Sequence, residues 1–226
     1  MIDRLSVTMK TKYSEARIES RKNAIVLKAT RLFKKKGIAD IKMTDIADDF
    51  GIGVATLYRY FRVKKTLVLA CGEELWEEKY QEFLNIEKEN IADKRDGISS
   101  LRALFYHFLH IYNYDSSFFL FLREFDSYIL KEKISQDELS DYNAVILKIH
   151  DIFRQAAEQG FKDGTVRKFD FDLLYFSFSK AILGLAQKLI AEGKLLTSDG
   201  IINGEDQIKV LLDLMLSYSA KGEEQI

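Results

Sequence analysis

The residues best placed to bind a ligand lie in the stretch IADDFGIGVATLYRYFRVK, which runs from Ile46 to Lys64. Apolar residues at the spacing of one helix face end at Phe50 and start again at Leu57. Between them, Gly51 and Gly53 supply a turn, because glycine adopts positive φ without steric cost. This pattern predicts a helix-turn-helix, whose second helix fits the DNA major groove, about 12 Å wide. An ordinary corner between two helices has the same pattern, so the flanking sequence has to distinguish them.

Two lysines, Lys64 and Lys65, stand in the first turn of the helix predicted next. Cations in a first turn oppose the helix dipole and cost about 0.3–1 kcal/mol each. The free amides of that turn, together with two ammonium groups, form a site for a phosphate. We therefore predict that this pair binds the DNA backbone. The alternative is that both side chains only extend into solvent.

The charge of the chain is divided unevenly along its length. Residues 1–70 contain 16 lysines and arginines against 7 acidic residues, whereas residues 71–226 contain 18 against 28. A predicted amphipathic helix over residues 17–36 contributes much of the positive charge. Such asymmetry is typical of a basic nucleic-acid-binding module joined to an acidic regulatory one. The alternative, chance clustering on two solvated surfaces, does not explain why the basic part also carries the motif.

The segment from Ala24 to Leu67 resembles the N-terminal domain of TetR-family transcriptional regulators. The family pattern I-L-x-A-A-x-x-L-F-x-x-x-G is matched at Ile25, Ala29, Leu32, Phe33 and Gly37. The pattern I-A-x-x-x-G-V-S-x-G-T-L-Y-x-Y-F-x-S-K-x-x-L is matched at Ile46, Ala47, Gly51, Thr56, Leu57, Tyr58, Tyr60, Phe61, Lys64 and Leu67. So many matched positions make the resemblance specific, although they lie within about a fifth of the chain.

This resemblance implies an all-α protein with an N-terminal three-helix helix-turn-helix domain and a C-terminal helical ligand-binding and dimerisation domain. We expect a flexible basic arm over residues 1–16, the DNA-binding domain over 17–66 and the second domain over 67–226. The implied partners are a double-stranded DNA operator and a small-molecule effector that releases a repressor. The residues expected to contact DNA are Thr44, Val54, Thr56, Tyr58, Arg59, Tyr60, Lys64 and Lys65.

Three departures from the family pattern affect helix starts. Ile41 stands where the family has a capping threonine, which leaves Asp40 or Thr44 as the candidate cap. Gly53 replaces a frequent serine cap, a change that costs a few tenths of a kcal/mol. Val63 replaces the usual capping serine or threonine before Lys64, so we expect that lysine to be held less rigidly.

The remainder of the chain has helical periodicity, with helices predicted over about 64–90, 98–114, 117–133, 136–160, 170–192 and 204–220. The last two are apolar on more than one face and must be covered on more than one face. Packing within a monomer would satisfy this, but the resemblance implies a homodimer formed through these helices. The predicted interface residues are Phe178, Ala181, Gly184, Leu185, Leu211 and Met215, with Gly184 expected to mark a close helix approach.

Ten aromatic residues lie within the 24 residues from Phe105 to Tyr128. Aromatic side chains form large apolar walls with a few polar tips, which suits a flat or greasy small molecule. The simpler interpretation is that most of them fill the core. We predict that a subset lines an effector pocket, with the candidates Phe105, Phe108, Tyr112, Phe118, Phe121, Phe125 and Tyr128.

The sequence does not favour an enzyme, because it has no phosphate-binding glycine loop, nucleophile elbow or metal-ligand helix motif. We predict no cofactor and no metal, since His107 and His110 lack a nearby cysteine or matching acidic motif. The single cysteine, Cys71, suits a reducing cytoplasm and is expected to be a packing residue. No run of eighteen apolar residues and no signal peptide is evident, so we predict a cytoplasmic protein without membrane contact.

An alternative function is a DNA-bound interaction protein that recruits a protein partner instead of sensing a small molecule. The two functions predict different surfaces on the second domain. A closed aromatic cavity favours the sensor, whereas a flat exposed apolar patch without a cavity favours the recruiter.

Overall fold

The computed structural model describes the backbone of residues 2–193, 195 and 200–222, and the side chains of 16–193, 195 and 200–222. This part of the chain contains α1 (Ile2–Lys36), α2 (Met43–Phe50), α3 (Val54–Tyr60), α4 (Lys64–Ala92), α5 (Gly97–Tyr114), α6 (Ser116–Glu132), α7 (Ser140–Asp163), α8 (Phe171–Glu192) and α9 (Gly204–Ser219). Extended pairing among these residues is limited to an antiparallel bridge between Val166 and Ala220. The predicted all-α fold class is confirmed.

The chain divides into two compact units between Leu75 and Trp76. Unit 1 holds α1 to α3 and the start of α4, and unit 2 holds the rest of α4 and α5 to α9. The division falls inside α4, whereas the sequence suggested a boundary after residue 66. The helix α1 begins at Ile2, where we had expected a flexible arm over residues 1–16. No proline or glycine occurs between Ile2 and Lys36, so no residue interrupts the helical backbone.

The core of unit 1 is formed by the apolar faces predicted for its short helices. The buried side chains include Ile25, Ala29, Phe33, Ile38, Ile46, Ala47, Leu57, Phe61, Leu67 and Val68. Neither Asp40 nor Thr44 caps α2. Instead, the backbone N–H of Lys42 donates to the carboxylate of Asp45 over 2.8 Å, because Asp45 stands at the third helical position and reaches back.

Cys71 lies in the core of unit 1, where its thiol is fully buried and Sγ lies 3.7 Å from the carbonyl oxygen of Val26. Burial raises the pKa of the Cys71 thiol to about 12. A buried thiol of this kind is unreactive at neutral pH, in agreement with a packing role.

Helix packing in unit 2 places α5 against α7 and α9, and α6 against α8. At one crossing, the first residue of α5 meets the last turns of α7 without any side chain between them. A Cβ atom added to Gly97 would lie 2.1 Å from both the Cα and the N atom of Gly160. Glycine is therefore required at this crossing by close backbone approach.

Replacement of Gly97 by alanine is expected to destabilise the protein by roughly 1–3 kcal/mol, because the backbone of Gly160 has to move to admit the methyl group. Gly184 is the matched control: it lies within α8, and a Cβ added there meets no atom within 4 Å. Alanine at Gly184 is expected to be neutral or to stabilise by up to about 1 kcal/mol through helix propensity. Urea unfolding of both variants checks this, and equal midpoints would contradict it.

A nearly buried lysine, Lys79 of α4, is surrounded by acidic groups in unit 2. Its ammonium lies 2.8 Å from Glu82, 3.1 Å from Asp115 and 3.4 Å from Glu78. Nε2 of His107 lies 2.7 Å from the other oxygen of Glu82. We call these five residues the Lys79 cluster. It ties α4 to α5 and to the turn that joins α5 to α6.

In the Lys79 cluster, hydrogen bonds and neighbouring charges affect the pKa values of Glu82 and Lys79 more than burial does. Partial burial opposes the charged form of Glu82, but hydrogen bonds from His107 and Lys79 hold the pKa of its carboxyl below the ordinary value. Burial likewise opposes the charged form of Lys79, while the hydrogen bond to Glu82 and the other acidic neighbours raise the pKa of its ammonium. Both groups are thus stabilised in their charged forms across the neutral range.

Candidate DNA-binding surface and ligand cavity

The two helices of the predicted motif are joined by the turn from Gly51 to Gly53. Gly51 adopts the left-handed conformation, with φ of 72°, and its N–H donates to the carbonyl of Asp48. The N–H of Ile52 donates to the carbonyl of Ala47, so the last carbonyls of α2 are satisfied as the chain turns. Leu57 is fully buried and anchors α3 to the core of unit 1. This is the geometry of a helix-turn-helix.

The anchoring of α3 through Leu57 leaves its other faces open. Tyr58 is 45% exposed, Arg59 is exposed, and Val54, Thr56 and Tyr60 are half-buried. Thr44 is exposed in the first turn of α2, and Lys64 and Lys65 are half-buried at the start of α4. All eight residues predicted to contact DNA therefore retain accessible surface on three neighbouring elements of unit 1.

Lys64 makes a contact that the sequence did not suggest. Its ammonium donates a hydrogen bond to the carbonyl oxygen of Ile38, in the turn between α1 and α2. An ammonium carries three donors, so this bond is compatible with a phosphate contact and fixes the direction of the side chain. The side chain of Lys64 is thus held by a carbonyl 26 residues earlier, although Val63 offers no hydroxyl to the free amides of α4.

Lys64→Ala is expected to weaken binding to all DNA sequences about equally and to reduce the slope of log K against log salt by roughly one. The reason is that one phosphate contact, with its released counterion, is lost while base readout is kept. Lys88→Ala is the matched control, since Lys88 is an exposed lysine of the same helix within unit 2. Titrations at several salt concentrations provide the test. An unchanged slope for Lys64→Ala would assign the lysine to the Ile38 contact alone.

Unit 2 contains a cavity of about 370 Å³ between α4, α5, α6, α7 and α8. Its wall is mostly aromatic and aliphatic with a few polar groups, as is usual for small-molecule sites. The lining residues are Trp76, Phe108, Leu122, Asp126, Tyr142, Ile146, Ile149, Tyr175, Phe176, Ser179, Lys180, Leu183, Gly184 and Gln187.

Only Phe108 of the seven aromatic residues predicted for the pocket lines this cavity. The side chains of Phe105, Phe118, Phe121 and Phe125 are almost completely buried among other rings, as in the simpler interpretation that they fill the core. Tyr112 and Tyr128 are half-buried elsewhere in unit 2. The cavity takes Phe108 from α5 and Leu122 and Asp126 from α6, and its remaining walls come from α4, α7 and α8.

Hydrogen bonds and ring contacts fix the cavity walls. Nε1 of Trp76 donates to the hydroxyl of Tyr142 over 2.8 Å, which links α4 to α7. The ring of His150 stacks on that of Phe176 with 5.1 Å between centroids. Nε2 of His150 lies 3.0 Å from Asp172. The walls are therefore positioned before any ligand enters, which limits the conformational cost of binding.

The six residues predicted for the dimer interface fall into different environments. Met215 is buried within its own chain, because α9 turns this residue inward, so its assignment to an exposed interface is corrected. Ala181 and Gly184 are exposed, whereas Phe178, Leu185 and Leu211 are half-buried. No atom of the described chain would come within 4 Å of a Cβ on Gly184, so a close helix approach within one chain does not explain this glycine.

A different apolar surface is open on the same helices. On α9, Val210, Leu214 and Tyr218 are exposed at four-residue spacing and therefore share one face. On α8, Leu173 is exposed as well. By its length and composition alone, α8 would be long and apolar enough to cross a membrane, which the sequence analysis did not predict. In its most apolar stretch of eighteen residues, 17% of the residues are buried. A helix this apolar and this little covered requires another apolar surface.

Comparisons with known proteins agree with the helix-turn-helix geometry. Residues 25–71 match the family model described as bacterial regulatory proteins of the tetR family. The predicted resemblance is thereby confirmed over the segment that forms the DNA-binding unit. A search of curated proteins found no match.

Solved structures share the fold of nearly the whole chain. A TetR transcription regulator from Haloarcula marismortui has a TM-score of 0.69 and 16% identity, covering 89% of this chain and 97% of its own. A regulator from Saccharomonospora viridis in complex with choline has a TM-score of 0.67 and 17% identity, covering 90% and 100%. A ketosteroid transcriptional regulator of Mycobacterium tuberculosis has a TM-score of 0.55 and 16% identity, covering 89% and 96%. At these identities the likeness concerns the fold.

Proposed function

We propose that this chain, a TetR-family transcriptional regulator that binds DNA, acts in the cytoplasm as a homodimeric repressor whose operator is released when a small molecule enters the cavity of unit 2. The observation that carries the proposal is the aromatic-walled cavity, which lies in a different unit from the helix-turn-helix. A protein with two such separate sites has the components that allosteric control requires.

The DNA-binding part of the proposal is supported by the helix-turn-helix of unit 1. The helix α3 presents Thr56, Tyr58 and Arg59 on its accessible side, and this helix is the one that enters the major groove in such motifs. We propose that these side chains contribute base readout, while Lys64 and Lys65 contact phosphates. We propose a DNA-binding domain over about 17–66 and a ligand-binding and dimerisation domain over 67–226, whereas the two compact units divide further along α4, between Leu75 and Trp76.

The sensing part is supported by the cavity size and wall chemistry. A volume of about 370 Å³ lies within the range of small-molecule sites, and the wall combines five aromatic rings with a few polar groups. Regulators of the same fold include one in complex with choline and one described as a ketosteroid regulator. We propose a small organic effector here as well. The continuous helix α4 carries Lys64 at one end and the cavity residue Trp76, and so links the sites covalently.

The dimer is supported by the exposed apolar residues of α8 and α9. We propose that this surface, with Leu173, Val210, Leu214 and Tyr218, pairs with the same surface of a second copy. A two-fold dimer places two recognition helices on two half-sites about 34–36 Å apart or at a multiple of that distance.

The test of the proposed function begins with selection of bound genomic fragments to obtain the operator. Small apolar and aromatic compounds are then screened for release of that operator. A genuine effector is expected to change operator affinity about 5- to 150-fold, corresponding to a coupling of about 1–3 kcal/mol, and operator DNA is expected to change effector affinity by the same factor. Calorimetry of the effector with and without operator measures this reciprocity.

A cavity-filling variant separates the sensor from the alternative function. Leu183→Phe narrows the cavity while leaving unit 1 unchanged, so it is expected to bind operator normally and to lose the response. Equal effector affinity with and without operator would exclude induction at this site. A partner protein captured through unit 2, with no compound releasing the operator, would favour the recruiter.

A further inference from the structure

Unit 2 contains a second cavity, of about 350 Å³, which is lined by residues of α4, α5 and α7 and which we call the polar groove. It shares no lining residue with the aromatic-walled cavity described above. Its volume lies within the range of small-molecule sites, but amides, carboxylates and a hydroxyl take the place of aromatic rings. Its polar side chains include Glu87 and Asn90 of α4, Ser100 of α5, and Gln155, Glu158 and Gln159 of α7.

The polar groove begins where the aromatic packing of the three helices ends. The ring centroid of Phe83 in α4 lies 5.4 Å from that of Phe108 in α5 and 5.3 Å from that of Phe153 in α7. One helical turn after Phe83, the lining residue of α4 is Glu87, whose carboxylate is too costly to bury in an apolar core. The space that apolar side chains would have filled therefore stays open.

Ser100 supplies a buried hydroxyl that the fold itself does not use. The residue is 3% exposed and lines the polar groove. Two other buried hydroxyl residues, Thr30 and Ser219, donate to the carbonyl four residues earlier, whereas the described residues give Oγ of Ser100 no hydrogen-bond partner. Among these residues, no side-chain polar atom that is sealed from solvent lacks a partner, so Oγ of Ser100 keeps accessible surface. The groove is the space that this surface faces.

Asn90 brings a second buried polar group to the polar groove. The residue is 5% exposed, and its Oδ1 accepts a hydrogen bond from Arg95 over 3.0 Å. Its Nδ2 lies 3.5 Å from the carbonyl oxygen of Ser100, at the outer limit of hydrogen bonding. A side-chain amide carries two N–H donors, and the described residues offer Nδ2 no other acceptor. One N–H of Asn90 is therefore left for a ligand, close to the Ser100 backbone.

The charged side chains of the polar groove do not favour an ion of either sign. Glu87 is half-buried on α4, while Glu158 and Lys162 are exposed on α7 with opposite charges. A ligand of either charge would meet repulsion as well as attraction. An apolar ligand would displace water and leave the hydroxyl of Ser100 unpaired, which costs free energy.

A hydroxyl group both donates and accepts, so it pairs equally with an amide, a carboxylate or another hydroxyl. We infer that the polar groove binds a neutral polyhydroxylated molecule of the sugar or cyclitol class, with hydroxyl groups on Asn90, Ser100 and Glu87. The buried aliphatic side chains of Leu104 and Ile152 line the same groove and cover the C–H groups of such a ligand. This second site goes beyond the proposed function, because it is separate from the effector cavity.

The test uses myo-inositol and D-glucose as probes and saturation-transfer NMR of the intact chain as the measurement. At least one of the two polyols is expected to bind with a dissociation constant on the order of 1 mM, as is usual for so small a ligand. Cyclohexanol has the ring of myo-inositol with a single hydroxyl, and it is expected not to displace the bound polyol. Ser100→Ala is expected to weaken polyol binding about fivefold, the effect of one lost neutral hydrogen bond.

Ser99→Ala is the matched control, since Ser99 is the exposed neighbour on α5 and does not line the polar groove. It is expected to leave polyol binding unchanged. Thermal melting gives a second readout: Ser100→Ala should melt at the wild-type temperature or above, because no partner in the fold is lost and alanine favours the helix.

No saturation transfer to either polyol would overturn the inference, as would displacement of the polyol by an equal concentration of cyclohexanol. Unchanged polyol binding by Ser100→Ala would do the same. A lower melting temperature of Ser100→Ala would show that the hydroxyl already has a partner in the fold, which removes the observation on which the site rests. Operator release through the aromatic-walled cavity is measured separately, so each of these results leaves the proposed function standing.

Discussion

Leu214→Glu is expected to convert the proposed dimer into monomers and to reduce operator affinity by a factor on the order of 10³ or more. Leu214 is 61% exposed on α9, between Val210 and Tyr218 on the same face. In a two-fold dimer this residue would be covered by the partner surface, where a carboxylate would be desolvated without a cation to pair with. A monomer contacts one half-site and loses the affinity gained from simultaneous engagement of two.

Sedimentation equilibrium and operator titration together check this result. Leu130→Glu is the matched control, because Leu130 is an even more exposed leucine near the end of α6 and is not part of the proposed α8 and α9 surface. It is expected to leave both assembly and DNA binding within a factor of about two, as is usual for surface substitutions. A Leu214→Glu protein that sediments like wild type would remove α9 from the interface.

Lys79→Met is expected to lower the free energy of unfolding by about 2–4 kcal/mol. Methionine fills a similar volume but removes the ammonium that faces Glu78, Glu82 and Asp115. The carboxylates are then left close together and partly buried, which is the main cost. We place the loss below that of a fully buried pair because Glu82 and Asp115 keep some contact with water.

The pH dependence gives this prediction a second, independent readout. Folding lowers the pKa of Glu82, so the charged carboxylate stabilises the folded state. This contribution to stability is fully present above the pKa of the unfolded chain, near 4.3, and is lost as the pH falls through the pKa of the folded state. The pKa of Lys79 is raised, so its contribution is present below the unfolded pKa near 10.4 and is lost at higher pH. The difference in the free energy of unfolding between wild type and Lys79→Met is therefore expected to be largest at neutral pH and to become smaller in acid.

Denaturant unfolding at pH 7 and pH 3 measures this difference. Lys148→Met serves as the control, since Lys148 pairs with Glu77 on the exposed surface at 3.6 Å. Exposed pairs contribute about 0–1 kcal/mol, so little change is expected at either pH. A similar effect of both substitutions would mean that the Lys79 cluster adds no specific stabilisation.

Local patterns were sufficient to predict the DNA-binding unit. The turn at Gly51, the buried Leu57 and the accessible Tyr58 follow from residue types a few positions apart, and their environments are as expected. The helices of unit 2 were predicted for the same reason, with boundaries within a few residues of those observed. Helical periodicity and glycine positions reflect residues that are close in sequence. Helix boundaries and turns depend mainly on such local residues, so the sequence was enough to predict them.

Features that depend on distant parts of the chain were not predictable in this way. An apolar face has the same pattern whether it borders the core or a cavity, so Phe105 and Phe108 could not be distinguished. The Ile38 contact of Lys64 spans 26 residues, and the link between Trp76 and Tyr142 spans 66. Asp126 could not be assigned to the cavity until α8, with Gln187, was placed beside α6. Tertiary packing decides each of these.

The buried thiol of Cys71 makes the protein suitable for spin labelling without prior removal of its native cysteine. Burial raises the pKa of this thiol well above the neutral range, so the thiol stays protonated at pH 7, and the sulfur is out of reach of reagents in solution. A cysteine introduced at exposed Arg59 of α3 would then carry the sole nitroxide of each copy. In the proposed dimer, pulsed electron resonance between the two nitroxides would report the spacing of the recognition helices and its change on effector binding.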